Sequence, residues 1–280
     1  MITLPSRVLS QYRRFSLYNS PYTAHDTGSA IDLYPEADAT DASSPVSGTV
    51  TMTRTVQAPP KPYAEETDHL IVVDTGEYLV RIMHVEPGVE PGERVVAGES
   101  LGRPVRAGFF APWVDNHLHV GVRPREADPL RASGSLRIDP AVDVEPLAWD
   151  GRGTVVERGD TYVLLDEPAH PAPGEYFAGL GTLDGEGVLD GGVPHYDCGG
   201  VLGRSVDAPE ASPVTLAGAR VGVATGRDVT WDELTVVANG EQITGIALFA
   251  DRETFGAKLI CPDASFSAGE SVQVEIEHQT

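Results

Sequence analysis

Apolar residues in this chain come in short runs, and glycine or proline interrupts them so often that helix-periodic stretches are scarce. With 30 glycines and 22 prolines in 280 residues, that pattern favours many short strands joined by tight turns. Hydrophobic residues make up 41% of the chain, enough for ordinary globular cores. The length suits about two domains. The expected class is all-β.

The most regular stretch is His117-Leu118-His119-Val120-Gly121-Val122-Arg123. Side chains two apart in a strand share a face, so His117 and His119 point one way. Leu118, Val120 and Val122 point the other way, into a core. Two imidazoles on one face of an anchored strand suit a metal ligand and a proton-transfer group.

Taken in order, residues 1–20 read as a lead-in strand or N-terminal arm. The segment from Tyr22 to Pro35 follows, with His25, a glycine turn at Gly28, and Asp32 inside the apolar Ala30-Ile31-Asp32-Leu33. A semi-buried carboxylate needs a partner, which marks Asp32. Pro45-Val46-Ser47-Gly48-Thr49-Val50 is a turn entering a strand. Ala58–Pro62 is too rich in proline for a central strand. Residues 69–74 and 77–84 form a hairpin around Asp74-Thr75-Gly76, and His84 ends its second strand. The echo Val85-Glu86-Pro87-Gly88 and Val89-Glu90-Pro91-Gly92 leads into Val95–Gly102 as alternating turns and short strands. Residues 123–150 read as an extended connection.

From Gly151 the texture changes. Residues 153–157 and 161–166 make a hairpin around Arg158-Gly159-Asp160. The glycine-dense 179–203 looks too irregular for a sheet. Residues 214–224, 234–238, 242–249, 258–261 and 271–277 read as strands of an antiparallel unit. The expected organisation is an arm over 1–20, a first domain with its linker over 21–150, and a β-rich accessory domain over 151–280.

In the order in which they occur, several first-half segments resemble the lysostaphin-type (LytM-type) zinc metallopeptidases over about residues 20–125. These are His25 to Asp32, Pro45 to Val50, Ile82-Met83-His84, the Val-Ala-Gly-Glu-Ser-Leu-Gly stretch 96–102, and His117-Leu118-His119. The resemblance implies a duplicated hybrid motif, a barrel-like sandwich. It also implies a Zn2+ held by His25, Asp32 and His119, with His84 and His117 handling the proton of an attacking water. A catalytic zinc wants three protein ligands and an open position, and it lowers the pKa of bound water to about 7. The sequence departs from the family pattern at three places: His25 precedes Asp32 by seven residues where the family has four, with Asp26 as the alternative ligand to His25; Val120 and Gly121 follow His119 where the family has an aromatic and an acid; and Asp115-Asn116 stand before the paired motif where the family has a glycine. The implied activity is hydrolysis of a peptide or amide bond. The alternative is a non-catalytic binding or scaffold protein that keeps the fold and meets a protein partner.

The formal net charge is −22, and Lys61 and Lys258 are the only lysines. An acidic, lysine-poor chain of this kind resembles proteins of salt-adapted prokaryotes, where screening tames self-repulsion. It disfavours nucleic acid and anionic membranes, because no basic patch exists to neutralise phosphates. No apolar run suits a signal peptide or a membrane span, so the expected location is cytoplasmic. Cys198 and Cys261 are isolated, and His195-Tyr196-Asp197-Cys198 reads as a structural loop. Phosphate-binding glycine signatures and a serine nucleophile elbow are absent. No lysine at a hairpin tip supports a biotinyl- or lipoyl-type carrier. A phosphocarrier using facing His84 and His119 is a further alternative.

Overall fold

The computed structural model describes residues 1–131, 133–208, 210–253 and 255–279. It is nearly all-β, and most of its strand pairs are antiparallel. The one α-helix among the described residues is the single turn Ser6–Leu9. No helix is long and apolar enough to cross a membrane. The chain forms two compact units, Met1–Phe15 with Gly28–Val142, and Ser16–Thr27 with Asp143–Thr280.

In the first unit the strands that matter are β1 (Ala30–Tyr34), β2 (Gly48–Gln57), β3 (Thr67–Asp74), β4 (Tyr78–Met83), β5 (Arg94–Val95) and β6 (Leu118–Pro124). They lie in the spatial order β1-β6-β4-β3-β2-β5, each pair antiparallel. The hairpin β3–β4 turns at Asp74-Thr75-Gly76, where Gly76 takes a positive φ of 92°. Register then does the rest. Ile31, Val120, Ile82 and Ile71 stand side by side across four strands, all fully buried. Burying each such side chain stabilises by roughly 1.5–3 kcal/mol. One residue along every strand, Asp32, His119, Met83 and Leu70 make the next row. Because strand faces alternate, this row looks to the opposite side.

The first twenty residues are built in rather than free. Ile2–Pro5 pairs in parallel with Ile138–Ala141, inside the stretch expected to be a plain connection. Leu9, Tyr12 and Phe15 are at most 1% exposed. The strand partner of Ile2–Pro5 lies more than a hundred residues away, beyond the reach of a local pattern.

The second unit carries a 12-stranded sheet. Arg152–Arg158 and Tyr162–Leu165 pair as the expected hairpin, with a bulge between Val155 and Glu157. The expected strand over 214–224 is two, Ala211–Leu216 and Ala219–Thr225, turning at Ala217 and Gly218. The segment 242–249 also divides, into Glu241–Ile243 and Gly245–Leu248. The glycine-dense 179–203 corrects the reading made from sequence, because Val188–Val193 and Cys198–Leu202 are paired central strands. A Cβ on Gly199 would lie 2.0 Å from Trp231 Cζ2, and one on Gly200 2.3 Å from Tyr18 Cε2. The glycines make room for aromatic rings laid against the sheet.

Candidate metal centre

β6 sits between β1 and β4, so His119 has Asp32 directly opposite on one side and Met83 on the other. Asp32 is 3% exposed. His119 Nδ1 lies 3.0 Å from Asp32 Oδ1, a hydrogen-bond distance. His117, just before β6, places Nε2 3.5 Å from Asp32 Oδ2. Its Nδ1 donates to the carbonyl of Asp115 at 2.9 Å, which leaves Nε2 as the lone-pair nitrogen. Two lone-pair-bearing atoms therefore face each other, an arrangement that a proton donor or a Lewis acid stabilises. Burial pushes the His117 pKa down to about 4, against the pull of the Asp32 charge, so its imidazole is neutral at pH 7.

Asp115 is itself fixed. Arg13 and Arg14 reach its Oδ2 at 3.3 and 3.1 Å. The N-terminal segment thus holds the residue whose carbonyl sets the tautomer of His117. Phe110 stacks on His117 with ring centroids 4.4 Å apart and meets His84 edge-on at 4.6 Å. The rings of His84 and His117 are 5.2 Å apart, those of His84 and His119 6.1 Å.

His84 follows β4 in the left-handed region, at φ 69°, where non-glycine residues are uncommon. Its Nδ1 lies 2.8 Å from Oδ2 of Asp68, whose carboxyl is fully buried. An ionised carboxylate only accepts, so Nδ1 carries the proton and Nε2 is the basic nitrogen.

His25 is 1% exposed, and its Nδ1 lies 2.7 Å from the carbonyl of Leu17. This contact commits Nδ1 as donor and leaves Nε2 for a metal, as outer-sphere partners do in zinc sites. His25, Asp32 and His119 each offer one ligand atom, and those atoms lie within 4.8 Å of one another. Two ligands on one zinc are separated by at most about 4.4 Å, so the set is close to closed. Asp26, the expected substitute, is exposed and accepts a contact from the Cys198 thiol at 3.6 Å instead. The donor chemistry, two imidazoles and one carboxylate, suits zinc.

All five residues singled out in the sequence are therefore buried or nearly so. His25, Asp32 and His119 form one donor group, and His84 and His117 lie against its histidine strand. Sequence reasoning missed Asp68, Phe110 and the Arg13–Arg14–Asp115 cluster. None has a spacing signal. Asp68 and Asp115 read as polar strand flanks until their partners are known.

An all-β fold with a His/Asp/His donor group defines the class: an all-β protein with a candidate metal site. Residues 3–140 match the family model described as the N-terminal domain of a domain of unknown function (DUF8155), and residues 145–277 match the model of its C-terminal domain. The chain thus carries both domains of that family. No curated protein matches it. Among solved structures it is similar to the catalytic domain of the antimicrobial peptidase lysostaphin from Staphylococcus simulans. Identity there is 18%, over 47% of this chain and 92% of that one, with a TM-score of 0.32. A solution structure of lysostaphin is 14% identical over 89% and 91%, with a TM-score of 0.27.

Proposed function

We propose that this chain is a zinc-dependent hydrolase of peptide or amide bonds, with His25, Asp32 and His119 as the metal ligands. The observation that carries the reading is the convergence of these three donors within 4.8 Å, with two further imidazoles packed beside them. When bound, zinc supplies Lewis acidity toward a peptide carbonyl and acidifies a water.

The protein's own groups supply the rest. His84, basic at Nε2, takes the proton of the attacking water, and Asp68 stabilises the imidazolium that forms. His84 then returns that proton to the leaving amine. His117, neutral and held by Asp115, accepts a hydrogen bond at Nε2 and orients the water or the developing oxyanion's neighbour. Phe110 covers both rings, limiting water around them and strengthening the electrostatics inside.

Metal analysis of the purified full chain tests the reading. About one zinc per chain is expected, lost in His119→Ala and Asp32→Ala. Mass-spectrometric cleavage of a peptide library by the zinc-loaded protein, abolished in the same variants, completes it. A protein that binds no zinc when challenged with it would overturn the proposal.

A further inference from the structure

The face of the sheet that carries Asp32 and His119 also carries a cation. Arg81 stands on β4 two residues before Met83, so both project to that face, about 6.6 Å apart along the strand. Met83 is directly opposite His119, and Arg81 directly opposite Gly121, over which the Ser135 side chain lies, its Oγ 2.9 Å from where a Cβ would stand. The Arg81 guanidinium leans toward the histidine row, with Nη2 3.8 Å from Met83 Sδ.

In a chain with 42 acidic residues against 20 Lys and Arg, no carboxylate pairs with Arg81 among the described residues. Its Nε is buried without a hydrogen-bond partner there. Arg123 on the neighbouring strand is no counterion but a second cation, already donating to the carbonyls of Asp128 and Arg131 at 2.7 and 2.5 Å. Burial and the Arg123 charge lower the Arg81 pKa to about 10, with Asp128 only partly offsetting them. A guanidinium presents a planar fork that matches a carboxylate in two parallel hydrogen bonds. Kept half-buried with one thioether contact and no counterion, it costs stability that an incoming anion restores.

We propose that Arg81 is a carboxylate-binding subsite next to the His/Asp/His centre, so that the substrate is an acidic peptide with a carboxylate close to the bond to be cut. This deepens the peptidase reading above and rests on it for the word substrate. The carboxylate is either a chain terminus or an acidic side chain.

The test uses the full chain, metal-free and zinc-loaded, and follows the Arg81 Nε–H signal in 15N–1H spectra during peptide titration. One pair of probes is acetyl-Gly-Gly-Gly as free acid and as C-terminal amide. The other is acetyl-Gly-Glu-Gly-amide and acetyl-Gly-Gln-Gly-amide. At least one acid probe should move the Arg81 signal and bind about 10- to 100-fold more tightly than its neutral twin. The pair that discriminates identifies the source of the carboxylate. Arg81→Gln should erase the difference while leaving zinc content and the backbone spectrum as in the wild type, and Arg81→Lys should restore part of it. Equal binding of acid and neutral probes, or an acid preference that survives Arg81→Gln, would overturn the subsite. Failure of the wild type to take up zinc would instead sink the metal reading, with the acid preference of the metal-free protein still deciding for or against Arg81.

Discussion

Asp68 and His84 meet through a 2.8 Å contact between Oδ2 and Nδ1, and the same carboxylate accepts the backbone N–H of His69 through Oδ1 at 2.8 Å. One buried carboxyl thereby fixes a ring and the strand beside it. It also helps hold His84 in its left-handed conformation, a backbone state that costs about 1–3 kcal/mol unless its surroundings enforce it. Asp68→Ala should destabilise the protein by about 1.5–3 kcal/mol in urea unfolding. In the zinc-loaded protein the same change should lower kcat far more than it alters KM, because the imidazolium is stabilised only during turnover. A variant with unaltered kcat would remove Asp68 from the proton-handling scheme.

Metal linkage gives a second expectation. Zinc that binds only the folded chain stabilises it by about 2.7 kcal/mol at a hundred times Kd. The melting temperature should therefore rise with added zinc and fall back with EDTA. His119→Ala should show neither response.

Crowding at the glycine strands predicts the effect of one methyl group. A Cβ at Gly199 would fall 2.0 Å from Trp231 Cζ2 and 2.8 Å from the Asp190 carbonyl oxygen. The ring has to move for the strand to stay paired. Gly199→Ala should cost about 1–3 kcal/mol, as overpacking does. Gly218, with nothing within 4 Å of a Cβ but a φ of 83°, should lose less on the same change, about 1 kcal/mol. Unfolding midpoints of the two variants compare them directly.

Asp190 predicts a pH slope. Burial raises its pKa from 3.8 to about 7, although Ser16, the Leu17 and Tyr18 amides and Arg227 pull it back. Between those values the folded carboxyl keeps a proton that the unfolded one has released. Stability therefore falls as pH rises from about 4 to about 7, and this group adds no slope above that range. Urea midpoints measured across pH 4–8 should decline less steeply in Asp190→Asn than in the wild type. Parallel curves would argue against the assignment.

How much of this was legible depended on how local each signal was. Strand β6 could be read because Leu118, Val120 and Val122 alternate with the two histidines. Asp32 stood out as a carboxylate among apolar neighbours, and His25 belonged to the same short segment. Asp68 was invisible because its meaning lies in His84, sixteen residues on and beyond a hairpin. The glycine strands were misread for a different reason. A residue without a side chain leaves no periodicity, so the packing of Trp231 and Tyr18 against Gly199 and Gly200 is written only in the aromatic residues, at distant positions. The N-terminal residues looked like an arm because Ile2–Pro5 finds its partner at Ile138–Ala141.

Residues 16–27 belong with the second unit although the chain then returns to the first at Gly28. Ser16 Oγ and the Leu17 amide both donate to Asp190. The Tyr18 hydroxyl donates to Asp228 and accepts from Arg227 Nε, at 2.7 and 2.9 Å. A gene fragment beginning at residue 143 would encode every strand of the 12-stranded sheet but not Ser16, Leu17 or Tyr18. A fragment ending at residue 142 would carry them with nothing to hold. Exchanging one half for a foreign counterpart at that junction would part Ser16, Leu17 and Tyr18 from Asp190, Asp228 and Arg227 unless the twelve-residue insert travelled too.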